Sequence, residues 1–238
     1  MKTLSFIFVV IFTSAISCRD PFHTGIKGNG HVVNEARSVS SFDEIKSCDD
    51  FNVFVTQDSI NSIIVEAEEN LVPYISTEIN GNKLTIKTEK NRNLHNTKPV
   101  NIYLHTGSLS HVSLSGSGNI NIEGANTGFL ELDISGSGNI NCQIDAGSID
   151  AHIAGSGDMT LAGTSDESNF KISGSGKIRS YNLEQYNCHS DISGSGNIYV
   201  FANDLLDVDI SGSGNVYYIG IPSVNTRITG SGSVINNN

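Results

Sequence analysis

A four-residue unit, Ser-Gly-Ser-Gly or a near copy of it, is written seven times between Ser115 and Gly232. The copies are Ser115–Gly118, Ser135–Gly138, Ala154–Gly157, Ser173–Gly176, Ser193–Gly196, Ser211–Gly214 and Thr229–Gly232. Their first glycines lie 20, 19, 19, 20, 18 and 18 residues apart. A fixed period of this length means one small unit that buries its apolar face by stacking on copies of itself.

The residues around each unit decide what is stacked. Two before the first glycine stand Leu114, Ile134, Ile153, Ile172, Ile192, Ile210 and Ile228. Four after it stand Ile120, Ile140, Met159, Ile178, Ile198, Val216 and Val234. Leu130-x-Leu132-x-Ile134 and Leu206-x-Val208-x-Ile210 extend the alternation, with Glu131, Asp133, Asp207 and Asp209 between. Period two is the mark of strands with one buried face. Each repeat therefore reads as strand, Gly-Ser-Gly bend, strand and variable connection. Identical columns at one period fit parallel stacking better than hairpins. We expect an all-β chain, a right-handed parallel β-helix or β-solenoid, rising ~4.8 Å per rung. Both glycines are unvaried, so the corner needs a positive φ or leaves no room for a Cβ.

Before the repeat the beat is lost but strands continue. Phe51–Thr56, Ile63–Ala67, Leu84–Thr88 and Val100–His105 alternate or are β-branched. Asn80-Gly81 signals a hairpin between Ile75–Ile79 and Leu84–Thr88. Lys90–Lys98 reads as a loop. Ile26–Val32 repeats the template faintly, as a detached first rung. The division expected is a signal segment over 1–17, a tether over 18–27, a more irregular N-terminal β half acting as a cap over 28–110, and the solenoid over 111–238. A cap shields the first rung from edge-to-edge pairing. Val234–Asn238 carries no such cap, so that end is a candidate oligomer contact.

Met1–Ser17 has Lys2 followed by a short apolar run, the pattern of an export signal. It leads into Ala15-Ile16-Ser17-Cys18, similar to a lipobox, which makes Cys18 the expected lipidation site and the lipid the expected membrane link. The other cysteines, Cys48, Cys142 and Cys188, have no zinc spacing. Cys142 and Cys188 fall on inward positions of different strands, so free buried thiols are expected. Acids outnumber bases to a net charge of −11, which argues against nucleic acid as a partner. The Gly-Ser-Gly units are not phosphate loops, because no Lys-Ser/Thr pair follows them. They are not calcium-binding nonapeptides either, since the period differs and Asn119, Asn139, Asn197 and Asn215 stand where Asp is needed.

Two outward faces carry candidate chemistry. On the first strand, Glu131, Asp150, Asp207, Asp133, Asp191 and Asp209 share a face with His111, His152, Lys171 and His189. A solvated ladder is the simpler reading, and neither a metal nor any other cofactor is expected. On the second strand, Arg179, Tyr199 and Tyr217 should stack on consecutive rungs and face solvent, suiting a sugar or protein ligand.

Gly28-Asn29-Gly30, Phe42-Asp43-Glu44-Ile45, Val53-x-Val55-x-Gln57 and Asn70-Leu71-x-Pro73-Tyr74-Ile75 precede the serial Ser-Gly-Ser-Gly-Asn-Ile. With the lipobox-like start, this set resembles the head GIN domain family of bacterial envelope proteins, the putative auto-transporter adhesins, over Gly28–Val234. The resemblance implies a β-helical fold and an exported, often lipid-anchored protein, and brings no catalytic residues. The expected function is therefore a non-enzymatic binding or adhesion module of the cell envelope, an outer-membrane lipoprotein with a polysaccharide or surface-protein ligand. The alternatives are a carbohydrate-active enzyme, lyase- or hydrolase-like, using the acidic face, or a non-catalytic scaffold.

Overall fold

The computed structural model describes residues 25–238, so the export segment and Cys18 lie outside the described residues. The N-terminal part supplies β1 (Ile26–Lys27), β2 (Val32–Arg37), β3 (Glu44–Asp49), β4 (Asn52–Gln57), β5 (Ser62–Glu68), β6 (Ile75–Asn80), β7 (Lys83–Thr88), β8 (Leu94–His95) and β9 (Asn101–Thr106). A single 3-10 turn, Val72–Tyr74, interrupts them at Pro73. The repeat supplies β10 (His111–Gly116), β11 (Asn119–Gly136), β12 (Asn139–Gly155), β13 (Asp158–Gly174), β14 (Lys177–Gly194), β15 (Asn197–Phe201), β16 (Leu205–Gly212), β17 (Asn215–Ile219), β18 (Ser223–Gly230) and β19 (Ser233–Asn236).

The repeats stack in parallel, as their sequence requires. Leu114, Ile134, Ile153 and Ile172 are register partners in turn, and the column runs on through Ile192 and Ile210 to Ile228. From Leu114 to Ile210 these side chains are almost completely buried. Each such aliphatic side chain contributes about 1.5–3 kcal/mol when withdrawn from water. The chain is thus a β-solenoid whose inner columns are its core.

The corners explain the glycines. Gly116, Gly136, Gly155 and Gly174 have φ between 138° and 139°. A Cβ on Gly136 would also lie 2.4 Å from the Gly116 carbonyl oxygen of the rung before. That oxygen accepts the Ser137 and Gly138 N–H groups at 3.0 and 3.1 Å. Sharing this acceptor draws each corner down onto its predecessor, and only glycine fits so close. The second glycine meets the same limit: a Cβ on Gly157 would sit 2.4 Å from the Gly138 oxygen and 2.7 Å from Ile134 Cγ2.

The parallel register does not stop at the first Gly-Ser-Gly. β10 pairs with β3, β11 with β4, β3 with β7 and β4 with β9, all in parallel. Antiparallel pairing enters only further out, where β5 joins β9, β2 joins β5 and β6 joins β7. One apolar core runs from Phe42 to Val216. The Asn80-Gly81 hairpin forms as expected, with Gly81 at φ 67°. The Lys90–Lys98 stretch holds the two-residue β8.

The faint template at Ile26–Val32 is not a rung. β1 pairs with β8, and β2 runs antiparallel to β5. What organises this corner is Glu68, fully buried. Its carboxylate accepts the N–H groups of Gly30, Thr97 and Lys98 at 2.6, 2.7 and 3.3 Å, and the Thr97 hydroxyl at 2.7 Å. Burial alone would push the Glu68 carboxyl up, but the bonds from Thr97, Gly30 and Lys98 outweigh it and hold it at about 2.

Cys48, Cys142 and Cys188 are free thiols, as expected, although Cys48 is only half-buried. Burial pushes the Cys142 and Cys188 thiols up to about 12, so both behave as small apolar side chains.

Candidate functional site

Solenoid stacking converts a sequence position into a line of side chains along the rod. The line through Arg179, Tyr199 and Tyr217 is longer than the repeat. Followed through the register it reads Tyr103, Phe54, Asn121, Asn141, Thr160, Arg179, Tyr199, Tyr217 and Ile235. At ~4.8 Å per rung, Tyr103 and Tyr217 stand ~34 Å apart.

An aromatic pair marks each end of this line. Phe54 and Tyr103 stack at 5.2 Å between ring centroids, and Tyr199 and Tyr217 at 4.9 Å with an interplanar angle of 8°. The rings of each pair therefore cover one another's faces and turn edges, and in the tyrosines hydroxyls, outward. Tyr181 adds a third ring to the C-terminal pair, edge-on to Tyr199 at 5.8 Å. A register shift between Thr160 and Ala162 puts Tyr181 there, one extra residue having been admitted to β14. The bulge is tied down by Ser180 Oγ, which donates to the Tyr199 carbonyl at 2.9 Å. Burial pushes the Tyr181 phenol up, and Asn237 Nδ2 donates to its oxygen at 3.3 Å.

Between the aromatic ends the line is polar. Asn141 Nδ2 donates to Asn121 Oδ1 at 3.0 Å. Arg179 Nη1 donates to Asp158 Oδ2 at 3.0 Å, which fixes the guanidinium beside the line. A groove of about 240 Å³ is lined by Asn121, Asn141 and Thr160 together with Glu123, Gln143 and Ala162. The three residues expected from sequence, Arg179, Tyr199 and Tyr217, do adjoin on consecutive rungs. Phe54, Tyr103 and Tyr181 were not visible as partners in the sequence. The signal available was the outward position of Phe54 and Tyr103 in their alternating strands, but no repeat linked them to Arg179.

The acidic face is a ladder of paired polar side chains. His111 Nε2 meets Asp133 Oδ2 at 2.8 Å, and His152 Nδ1 meets Asp133 Oδ1 at 3.3 Å. Lys171 is paired with Asp191 at 3.2 Å, His189 with Asp207 at 3.2 Å, and Arg227 with Asp209 at 3.5 Å. Glu44 takes Lys83 at 2.8 Å, and this hydrogen bond holds its carboxyl below the usual range. Ligand atoms of His111, Glu131 and Asp133 lie within 4.8 Å of one another, the closest approach to a cation-binding set among the described residues. Lys171, the base that a lyase mechanism would need, is held by Asp191.

The family model for "putative auto-transporter adhesin, head GIN domain" matches residues 41–222. The chain belongs to this family. Solved structures of the same fold include a putative adhesin from Bacteroides fragilis NCTC 9343, at a TM-score of 0.83 and 24% identity, covering 90% of this chain and 100% of that one. A putative lipid binding protein from Parabacteroides distasonis ATCC 8503 follows at 0.77 and 27%, with coverage of 90% and 100%. A putative adhesin from Parabacteroides merdae ATCC 43184 stands at 0.74 and 22%, with 90% and 99%. No curated protein matches the sequence. Membership of the head GIN family supports an adhesion-type role in an envelope or extracellular setting. Among the described residues no helix is long and apolar enough to cross a membrane.

Proposed function

We propose that this head GIN protein is a non-enzymatic, lipid-anchored adhesion module that binds an extended, hydroxyl-rich polymer along the line from Tyr103 to Tyr217. The observation that carries the reading is the line itself: stacked aromatics at both ends, amide and hydroxyl side chains between, and the groove beside Asn121, Asn141 and Thr160. Because the stacked rings offer edges and hydroxyls, recognition here is by hydrogen bonding and edge contact, not by a sugar lying on an open ring face. A ~34 Å strip engages several successive units of a polysaccharide, so weak contacts add through valency. Cys18 supplies the lipid anchor, and the outer membrane is the proposed site.

The test is a glycan-array and whole-cell binding screen with wild-type protein, a Tyr199→Ser/Tyr217→Ser variant and an Asn141→Ala/Thr160→Ala variant. Each folded variant should lose binding at least ten-fold to the same glycans, with no turnover of the ligand. Undiminished binding by both variants would remove this face from consideration, and depolymerisation of a bound glycan would replace the adhesin with an enzyme.

A further inference from the structure

The two ends of the rod are finished differently. At the N-terminal end the parallel stack closes under antiparallel strands, and Arg37 of β2 reaches across to β6, donating to the Ile75 carbonyl at 2.7 Å and to Thr77 Oγ1 at 2.9 Å. At the other end, β18 pairs with β16 and β19 with β17, and neither has a further neighbour among the described residues. Their outer N–H and C=O groups form an open edge.

The core ends at this edge as well. Val224, Thr226, Ile228 and Val234 continue the inner columns of Leu206, Val208, Ile210 and Val216. Ile210 is 2% exposed, whereas Ile228 is 42% exposed. Ile235 and Ile221 add further exposed apolar surface. Proteins that leave a β edge single defend it with charge, especially lysine. Here Ile221–Asn238 holds one charged side chain, Arg227, and no acid, in a chain whose net charge is −11.

We propose that this end is an interface for a second copy of the chain, related by a two-fold axis. β2 and β6 at the N-terminal end also have one neighbour each, but β2 carries Glu35 and Arg37 and β6 carries Glu78, so that edge is defended by charge and the nearly uncharged C-terminal end meets its own kind in an isologous contact. Charge favours the same partner, because the end lacks the acidity that keeps the rest of the surface apart.

The register follows from the alternation in Ser223–Gly230. Directly opposed residues of an antiparallel pair share a face, so the axis must pass through a residue and not between two. Centred on Arg227, it would set two guanidinium groups against each other. Centred on Thr226, it opposes Val224 with Ile228 of the other copy, Thr226 with its own equivalent, and Asn225 with Arg227. The inner columns of the two rods then become one. The contact is independent of the ligand reading.

Sedimentation equilibrium of the purified protein tests this. A monomer–dimer equilibrium is expected, without trimers or larger species. Ile228→Lys, an already exposed position, should weaken the dimer at least ten-fold while leaving the circular dichroism unchanged. Thr226→Cys should give a disulfide-linked dimer under mild oxidation that wild type does not give, since opposed Cα atoms lie ~4.5–5.5 Å apart. A protein that stays monomeric, or one that grows into a ladder of higher oligomers, overturns the proposal. So does a dimer that Ile228→Lys leaves intact and Thr226→Cys fails to cross-link.

Discussion

The first tight corner, at Asp49, and the corners of the repeat occupy the same place in the stack with different residues and different backbone angles. Asp49 is the register partner of Gly116, and it too has a positive φ, 79°. Yet the chain there reads Asp49-Asp50-Phe51 in place of Gly-Ser-Gly. The difference lies beneath. A Cβ on each repeat glycine would strike the corner oxygen of the preceding rung, as a Cβ on Gly116 would strike the Asp49 oxygen at 2.5 Å. No earlier corner underlies Asp49, and its side chain instead accepts the Thr88 N–H at 2.7 Å. Glycine is therefore demanded by stacking on a tight predecessor, and the motif starts one rung after the first tight corner.

This contrast can be broken most forcefully at a central corner. Gly155→Ala combines a φ of 139° with a Cβ 2.3 Å from the Gly136 oxygen. It should cost about 3–5 kcal/mol in urea unfolding, from backbone strain together with overpacking. Asp49→Ala, which keeps a Cβ at a positive φ and gives up the bond from Thr88, should cost no more than about 2 kcal/mol. Equal losses at the two corners would mean that φ alone, not the rung below, selects the glycines.

A smaller effect separates the two regions by pH. Glu68 has its folded carboxyl at about 2 against an ordinary 4.5. A depressed folded value means stabilisation that is complete above 4.5 and lost as pH falls toward 2. Hydrogen exchange followed from pH 6 to pH 3 should therefore show β1, β2 and the Leu94–Lys98 segment opening before β12 and β13. Glu68→Gln should bring the same opening at neutral pH. Simultaneous opening of all strands would show that Glu68 does not hold the N-terminal corner separately.

The repeat was legible in sequence because each position recurs in identical surroundings. Ile134, Ile153 and Ile172 declare their contacts by period alone, and so does the adjacency of Arg179, Tyr199 and Tyr217. Phe54 and Tyr103 join the same line through pairings β11–β4 and β4–β9, which link residues with no common motif. Nothing local records such a pairing, since it is set by the strands packed around it. Tyr181 was hidden for another reason: a bulge moves one residue out of step, and periodic reading assumes that none does. Gly28-Asn29-Gly30 misled in the opposite sense. Its glycines serve the buried Glu68, whose carboxylate lies where a Cβ on Gly28 would stand, and Gly30 has φ 79°.

The central claim is that successive repeats lie directly over one another in parallel. Spin labels on outward positions of one column measure it by pulsed electron resonance. With one label at Arg227 and the other at His152, Ser113 or Lys46, the register places the pairs four, six and seven rungs apart. The distances should rise linearly, near 19, 29 and 34 Å at ~4.8 Å per rung. Distances that fail to increase with rung number, or that alternate between short and long as in a run of hairpins, would contradict the stacked solenoid and the binding line drawn along it.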